Sequence, residues 1–554
     1  MKQTKFPSYL EERIWNGLKW SIATAFGFLI TVSWAHSAVS ENVSMGNAKA
    51  VGMAHSVTAD PPGVDSVFYN PAGLTRIRKR RAQLNLLYLK GEFAVDFGEH
   101  SNKLSDCLNG ISCPKNFSND VAYDEAKNSS SSTSDTVVML PQGGLTDVPV
   151  GLLPTGGVAI PVSENVTFAT SVYSTISAGY KREDDDPGRF FAQQLALSRI
   201  VYFSPTFAFR LNDSWSFGLG VSFNYSGVAL QLPMRLPHLL TVGLGSLQSQ
   251  LGCSDGVSLL VDLCGGAIGP YTELIDLNLE VDDAMSVTYQ AGVLWDITPW
   301  LSWGMVYRSG ITEHLKGKAE IKYSENWQGF FGGLTDSGEN GLASLLPSGI
   351  HQQESSDVVL DMSVPSYFST GLSVQVTPRI KVNMDAKMST WSDFEALTIH
   401  FENPDVDVLK LIATLDKVLE LDATTSDSIS IPLYFEDTWS WSIGMEYAYT
   451  NRLTLRMGYE DRRVSIPNER QTVLVPLSDL NVYALGFSYL LGGASEVDFA
   501  ISIYKPKEEH VEAGASANSN SGEFNDVIYN PYAETDFTTK TTISQMVLSY
   551  WYEF

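Results

Sequence analysis

The clearest feature of the chain is a period of two. In the segment 214–225 (SWSFGLGVSFNY), Trp215, Phe217, Leu219, Val221, Phe223 and Tyr225 alternate with Ser214, Ser216, Gly218, Gly220, Ser222 and Asn224. Successive side chains of a strand point to opposite faces, so this spacing predicts a strand with one apolar face and one small, polar face. The segments 285–295 and 439–447 repeat the pattern. Met285, Val287, Tyr289, Ala291, Val293 and Trp295 oppose Ser286, Thr288, Gln290 and Gly292; Trp439, Trp441, Ile443, Met445 and Tyr447 oppose Ser440, Ser442, Gly444 and Glu446. A soluble sandwich also alternates. Here, however, the apolar faces run for about ten residues, the length of a tilted membrane-crossing strand. Aromatic residues gather toward the strand ends, as at a membrane interface. The opposite face, with its Gly, Ser and charge, suits a water-filled lumen better than a dry core. In lipid every backbone polar group must be paired internally, so such strands have to close into a barrel.

About fourteen strands are expected on this reading, beginning near Ala82, Val150, Val166, Arg199, Ser214, Ala284, Leu301, Asp357, Ile380, Ile429, Leu453, Asn481, Glu496 and Thr542. Short links at 163–165, 211–213, 296–299, 377–379, 450–452 and 491–495 alternate with long ones at 96–149, 182–198, 232–283, 324–356, 401–428, 466–480 and 505–541. Short periplasmic turns and long external loops, with an even strand count, are the habit of outer-membrane barrels. The predicted fold is therefore all-β: a transmembrane antiparallel β-barrel. Met546, Leu548, Tyr550, Tyr552 and Phe554 end the chain in the same alternation, the kind of aromatic-ended last strand that barrel assembly machinery reads.

Composition narrows the class further. The 554 residues carry a formal charge of −26 with the acids scattered, which excludes nucleic acid as a partner, since phosphate binding needs clustered Lys and Arg. Mean hydropathy is −0.04, and the only long apolar run, 21–34, has 14 residues, too short for a spanning helix, which needs about 20. With Lys2, Lys5, Arg13 and Lys19 before it and Ala35-His36-Ser37-Ala38 after it, the run reads as an export signal. Cleavage is expected after Ser37, or after Ala38; an uncleaved anchor is the alternative. Cys107 and Cys113, six apart, and Cys253 and Cys264, eleven apart, sit in loop-like stretches and are expected to form two local disulfides in an oxidising compartment. No G-x-S-x-G or H-E-x-x-H motif is present and the His residues are scattered, so no catalysis, cofactor or metal is expected.

The segment 66–74 (SVFYNPAGL) follows a stretch of small residues from Met45 onward. In that setting it resembles the N-terminal hatch of the FadL family, outer-membrane transporters of long-chain fatty acids and aromatic hydrocarbons in Gram-negative bacteria. Segments 153–161, 208–225, 304–318, 385–399 and 453–459 resemble later family strands in the same order. The resemblance implies three regions: a signal peptide at 1–37, a hatch (plug) in the lumen at 38–81 and the barrel with its external loops at 82–554. Asn70, Pro71, Ala72 and Gly73 would hold the hatch to the wall, with Pro71 biasing Asn70 to an extended backbone. Two features depart from the family: the third strand lacks its Pro-Phe-Gly sequence, and the loop 401–428 carries an amphipathic run, 406–421, with Leu409, Ile412, Leu415 and Leu419 at helical spacing.

The resemblance also implies a route: capture of a hydrophobic substrate in external loops, passage to a lumen pocket, and hatch-gated release sideways into the membrane. Its partners would be a fatty acid or hydrocarbon, outer-membrane lipid and lipopolysaccharide, and the barrel assembly machinery. Apolar residues in loops expected to be exposed are candidates for the capture surface: Leu239, Leu240 and Leu244 in 232–283, and Trp327, Phe330, Phe331, Leu345 and Leu346 in 324–356. A packed loop core is the alternative. By strand phase Arg308, Lys387 and Arg456 face the lumen and are candidates for holding a carboxylate, unless Asp385, Glu446 and Glu460 pair with them. Long-chain fatty acid is the leading substrate class. An aromatic hydrocarbon channel of the same fold, or a structural or adhesin barrel without transport, are the alternatives.

Overall fold

A computed structural model describes residues 44–554 apart from 99–127, 149–150, 236–240, 242–243, 246, 249–250, 252, 254–263, 270, 337–346, 348–350, 404–405, 412–426, 434, 468–470, 475–478, 493, 507–508 and 512–535. The alternating segments form a closed antiparallel barrel of 14 strands. In chain order these are β1 (Arg81–Phe97), β2 (Gly151–Pro161), β3 (Val166–Lys181), β4 (Gln194–Phe203, then Thr206–Arg210), β5 (Trp215–Met234), β6 (Ile275–Thr298) and β7 (Leu301–Arg308, then Ile311–Tyr323). They continue as β8 (Gln353–Val364, then Tyr367–Thr377), β9 (Ile380–Ser389, then Ala396–Phe401), β10 (Ser428–Pro432, then Thr438–Ala448), β11 (Leu453–Arg462), β12 (Leu480–Gly492), β13 (Ser495–Pro506, then Glu509–Val511) and β14 (Phe537–Glu553). Each pairs with its neighbour in sequence. Closure comes from β1 against β14, from Arg81 opposite Glu553 to Phe97 opposite Phe537.

The phase read from the sequence is the phase of the wall. Leu219, Tyr289 and Leu485 are about 60% exposed, facing outward where lipid would cover them, while Ser216, Gln290 and Ser442 are buried on the lumen side. Trp215 and Trp295 stack at 5.0 Å beside the short turns, where an interfacial girdle belongs. Several strands are longer than expected at their outer ends. β6 begins at Ile275 rather than near Ala284, because Ile275, Leu277, Leu279 and Val281 face inward onto a loop core above the membrane band.

The lumen is not open water. Residues 44–80 fill it, and their hydrogen bonds radiate to strands around the whole wall. The Ser177 N–H of β3 donates to Ser44 Oγ (2.9 Å), the Ala48 N–H to Ser549 of β14 (2.9 Å), the Ser56 hydroxyl to Ser442 of β10 (2.9 Å), and Thr75 Oγ1 to Ser216 of β5 (3.0 Å). The small lumen-facing residues that suggested a wet channel instead make room for this segment.

Between β1 and β2, Ser130–Ser132 pairs with β1, and a hairpin (Thr136–Leu140 and Gly144–Val148) follows. Val137 and Met139 pack on Ala196 and Ala229, which face outward from β4 and β5. The hairpin therefore lies against the outer face of the wall, level with the acidic residues Glu280 and Asp282 above the apolar band. Epitope tags should be reachable on intact cells in this hairpin and not in the turn at Leu211–Asp213; surface labelling of that turn would reverse the orientation.

Candidate functional site

Asn70 locks the inserted segment to the wall. Its amide donates to Thr58 O (2.8 Å) and to Val293 O of β6 (3.1 Å), and its Oδ1 accepts from the Ala72 N–H (3.2 Å). The backbone is extended at Asn70 and turns at Pro71 into a short 3-10 helix (Pro71–Arg76), as the Asn-Pro pair dictates. Two wall glycines let it sit this close: a Cβ at Gly292 would lie 2.1 Å from Asn70 Oδ1, and one at Gly218 would lie 2.3 Å from Pro71 C. Gly73 is likewise closed in, with Pro61 Cγ 2.2 Å from a Cβ placed there.

Two carboxylates hold the other side, and neither was singled out from the sequence as an anchor. Asp385 Oδ2 on β9 accepts from Val57 N–H, Thr58 N–H and Thr58 Oγ1, each at 2.8 Å. Asp60 meets Lys49 and Lys381 at 2.8 Å and Arg76 at 3.2 Å. Burial pushes its pKa up, but Lys381, Lys49 and Arg76 outweigh burial and hold it well below the usual carboxylate range. Asp65 is different. Asn47, Gln83 and Asn85 all donate to its Oδ2, at 2.7, 2.6 and 2.8 Å, yet among the described residues it has no cation beside it. Burial raises its pKa from 3.8 to about 6, against the lowering by the Asn47 and Asn85 amides. A carboxyl whose docked pKa is raised favours docking most when protonated. Its contribution is therefore greatest at low pH and falls as pH rises from 3.8 through 6. Protection of residues 60–70 from hydrogen exchange, measured in the barrel, should fall across that window and flatten in Asp65→Asn.

The three lumen cations expected from strand phase all face inward, and their partners differ. Lys387 pairs with Glu460 (3.1 Å), which also meets Arg462 (3.2 Å). Arg456 pairs with Glu446 (2.8 Å) and Asp498 (2.7 Å). Arg308 has no carboxylate partner among the described residues. Its guanidinium lies between the rings of Phe68, in the inserted segment, and Tyr367 of β8, at 4.0 and 3.9 Å from their centroids. It borders a small cavity of about 70 Å³ with Tyr173, Thr288 and Ser309.

A larger, apolar cavity of about 510 Å³ adjoins it, sharing Tyr173, Ile176 and Trp391. Its lining includes Leu89, Phe93, Leu195 and Phe394 from the lumen side, and Leu152 and Val172, which are 48% and 46% exposed on the outer face. The cavity passes through the wall because the wall is parted there. β2 pairs with β3 only from Gly156–Pro161 to Thr167–Val172. Beyond Val172, β3 pairs along its length with β4, with an irregularity between Ser174 and Ile176; on its other side the described residues give it only a single bridge, Lys181 to Asp135. Ser204, between the two parts of β4, fills the break: its hydroxyl donates to Ser171 O (2.6 Å) and accepts from the Ser171 N–H (3.0 Å). A β3 without Pro-Phe-Gly is irregular all the same.

Three of the loop residues expected to be exposed are a correction, and follow the packed-core alternative. Trp327, Phe330 and Phe331 are 0, 3 and 5% exposed on a helix, Glu325–Asp336. They pack on one another in a core cluster that also holds Val406, Val408 and Leu409, with Leu244 partly buried against it. An apolar helix above a lumen of apolar strand ends lowers its free energy most by burial. Leu239, Leu240, Leu345 and Leu346 lie outside the described residues, as do Cys107 and Cys113. Cys253 and Cys264 are disulfide-bonded.

The family model for outer membrane transport proteins of the OMPP1/FadL/TodX type matches residues 29–554. The chain belongs to that family. A long-chain fatty acid transport protein of Escherichia coli O6:H1 is 20% identical over 377 residues, covering 67% of this chain and 74% of the relative. A Pseudomonas aeruginosa FadL homologue superposes with a TM-score of 0.62 at 18% identity, over 94% of this chain and 100% of that one. The Pseudomonas putida toluene transporter TodX gives 0.57 at 16% identity, over 93% and 99%. Family members are transport channels and not enzymes. This FadL-family barrel therefore belongs to the Gram-negative outer membrane and carries hydrophobic substrates across it.

Proposed function

We propose that the substrate is a long-chain fatty acid, that residues 44–80 act as its hatch, and that it leaves through the parted wall between β2 and β3. The observation that carries this reading is the junction of two cavities. The 510 Å³ apolar cavity is within the range of small-molecule sites, about 300–1,000 Å³, and would take an acyl chain. The 70 Å³ cavity beside it would take the carboxylate at Arg308, where a charge-assisted hydrogen bond favours an acid over a neutral ring. The E. coli relative's name, a long-chain fatty acid transport protein, agrees with this choice. The toluene transporter among the solved relatives keeps the second reading, an aromatic hydrocarbon channel, as the outcome expected if Arg308 is dispensable. An export signal at 1–37 completes the scheme; it lies outside the described residues.

Ala178 lines the cavity on β3, beyond the last pair with β2, so Ala178→Trp fills the exit without touching Arg308. Uptake of both a fatty acid and a neutral aromatic by cells with equal surface levels should fall severalfold or more. Unchanged uptake of both would place the exit elsewhere. Organic extraction of the purified wild-type barrel, read by mass spectrometry, should return fatty acid; a neutral hydrocarbon alone would reverse the substrate assignment.

A further inference from the structure

His351, Glu354 and Asp407 converge at the outer end of the barrel, apart from the cavities and the inserted segment. His351 and Glu354 flank the start of β8, and Asp407 opens the helical segment after β9. Glu354 and Asp407 are 53 residues apart in sequence, so the cluster ties two loops together. His351 Nδ1 lies 3.4 Å from Glu354 Oε1 and 3.3 Å from Asp407 Oδ2, and all three donor atoms lie within 4.8 Å of one another. A tetrahedral ion with bonds of about 2.0–2.2 Å to nitrogen and oxygen sets neighbouring ligand atoms roughly 3.3–3.6 Å apart. Two edges of such a site already have about that length.

The surroundings orient these donors. Glu354 Oε2 accepts from the Asp407 N–H (2.8 Å) and from the Tyr323 hydroxyl, which itself accepts from the Val408 N–H (3.3 Å). One oxygen is thus anchored and Oε1 is left toward His351. Hydrogen bonds of this outer kind fix the ligands of metal sites. The Asp407 side chain is fully buried and that of Glu354 is 14% exposed, while His351 is 48% exposed, so the cluster is reached by solvent from the His351 side. Lys410 Nζ, 3.7 Å away, meets the other oxygen of Asp407.

We propose that His351, Glu354 and Asp407 bind a divalent metal ion of zinc-like preference. Imidazole selects zinc and its neighbours over calcium and magnesium, which prefer all-oxygen sites. The bound ion would clamp the segment after β9 onto the start of β8. Val406, Val408 and Leu409 lie on that segment and pack in the same core as Trp327 and Phe330, so occupancy would set how firmly the outer cap is held.

The test uses the full-length barrel in detergent, stripped with a chelator and titrated with Zn²⁺. Saturable binding of about one ion per chain is expected, weakened at least roughly tenfold in His351→Gln and in Glu354→Gln. Both sites are partly exposed, and heat-modifiable mobility on gels checks that each barrel is folded. Zinc should also slow tryptic cleavage after Lys410 in the wild-type protein and not in either variant. The proposal fails if zinc binds no more tightly to wild type than to the variants. It also fails if the stripped protein already shows full protection at Lys410, as an ion pair alone would give. Equal competition by Ca²⁺ would overturn the zinc-like preference.

Discussion

An Arg308→Met variant should take up a long-chain fatty acid about 10- to 100-fold less well than the wild type at limiting concentration, the cost of losing a hydrogen bond to a charged group. Its uptake of a neutral aromatic should change little. Methionine is the informative replacement because Arg308 does two things: its guanidinium is stacked between Phe68 and Tyr367, and it carries the cation beside the small cavity. Met keeps an unbranched apolar side chain to pack between the rings and removes the charge with its N–H donors. Uptake of both substrates at equal surface expression separates the roles. An equal loss for acid and aromatic would mean that Arg308 serves the inserted segment through Phe68, and the carboxylate assignment would have to be given up.

Replacing Asp385 with Leu should release the inserted segment. The carboxylate accepts from Val57 N–H, Thr58 N–H and Thr58 Oγ1, and each buried donor left without a partner costs about 1–3 kcal/mol. The wall does not depend on that side chain, since residue 385 pairs through its backbone with Gly371 and Ser442. The expected result is a folded barrel whose amides at 57 and 58 exchange much faster, with a conductance in planar bilayers well above that of the wild type. Asp385→Glu, which keeps the charge, should recover part of both. Wild-type exchange and conductance in the Leu variant would show that Asn70 and Asp60 hold the segment without help.

The wall was legible because its signal is periodic: lipid on one side forces apolar residues to alternate, and Trp215 to Tyr225 announce their faces without any partner in view. The inward direction of Arg308, Lys387 and Arg456 followed from the same phase. Which of the three lacks an acid among the described residues did not, because Glu446 reaches Arg456 from the neighbouring β10 and Asp498 from β13, two strands away, and such pairing depends on register. Asp60 and Asp65 were silent for a similar reason: a carboxylate that anchors a plug looks like any other until its cations or amides arrive from elsewhere in the fold. The loop aromatics misled because exposure was inferred from loop position; Trp327 is buried in a core cluster that also draws in Val406 and Leu409, nearly eighty residues later. The cluster of His351, Glu354 and Asp407 has no local spacing to recognise, since its third member comes from another loop.

The seam between β1 and β14 imposes an order on assembly. β1 follows the inserted segment directly in sequence, and its partner is the fourteenth strand of the barrel, so the cylinder closes only when the most distant contacts form. Such non-local pairings are slow because the chain entropy of bringing the ends together is spent before any contact offsets it. Meanwhile the inserted segment bonds to strands on every side, among them Ser549 on β14 itself, and its docking can help to gather the sheet into a curve. A chain begun at β1 would have to close around an empty centre. It should therefore close more slowly than the whole chain, and a separate peptide supplied afterwards would have to thread a finished cylinder.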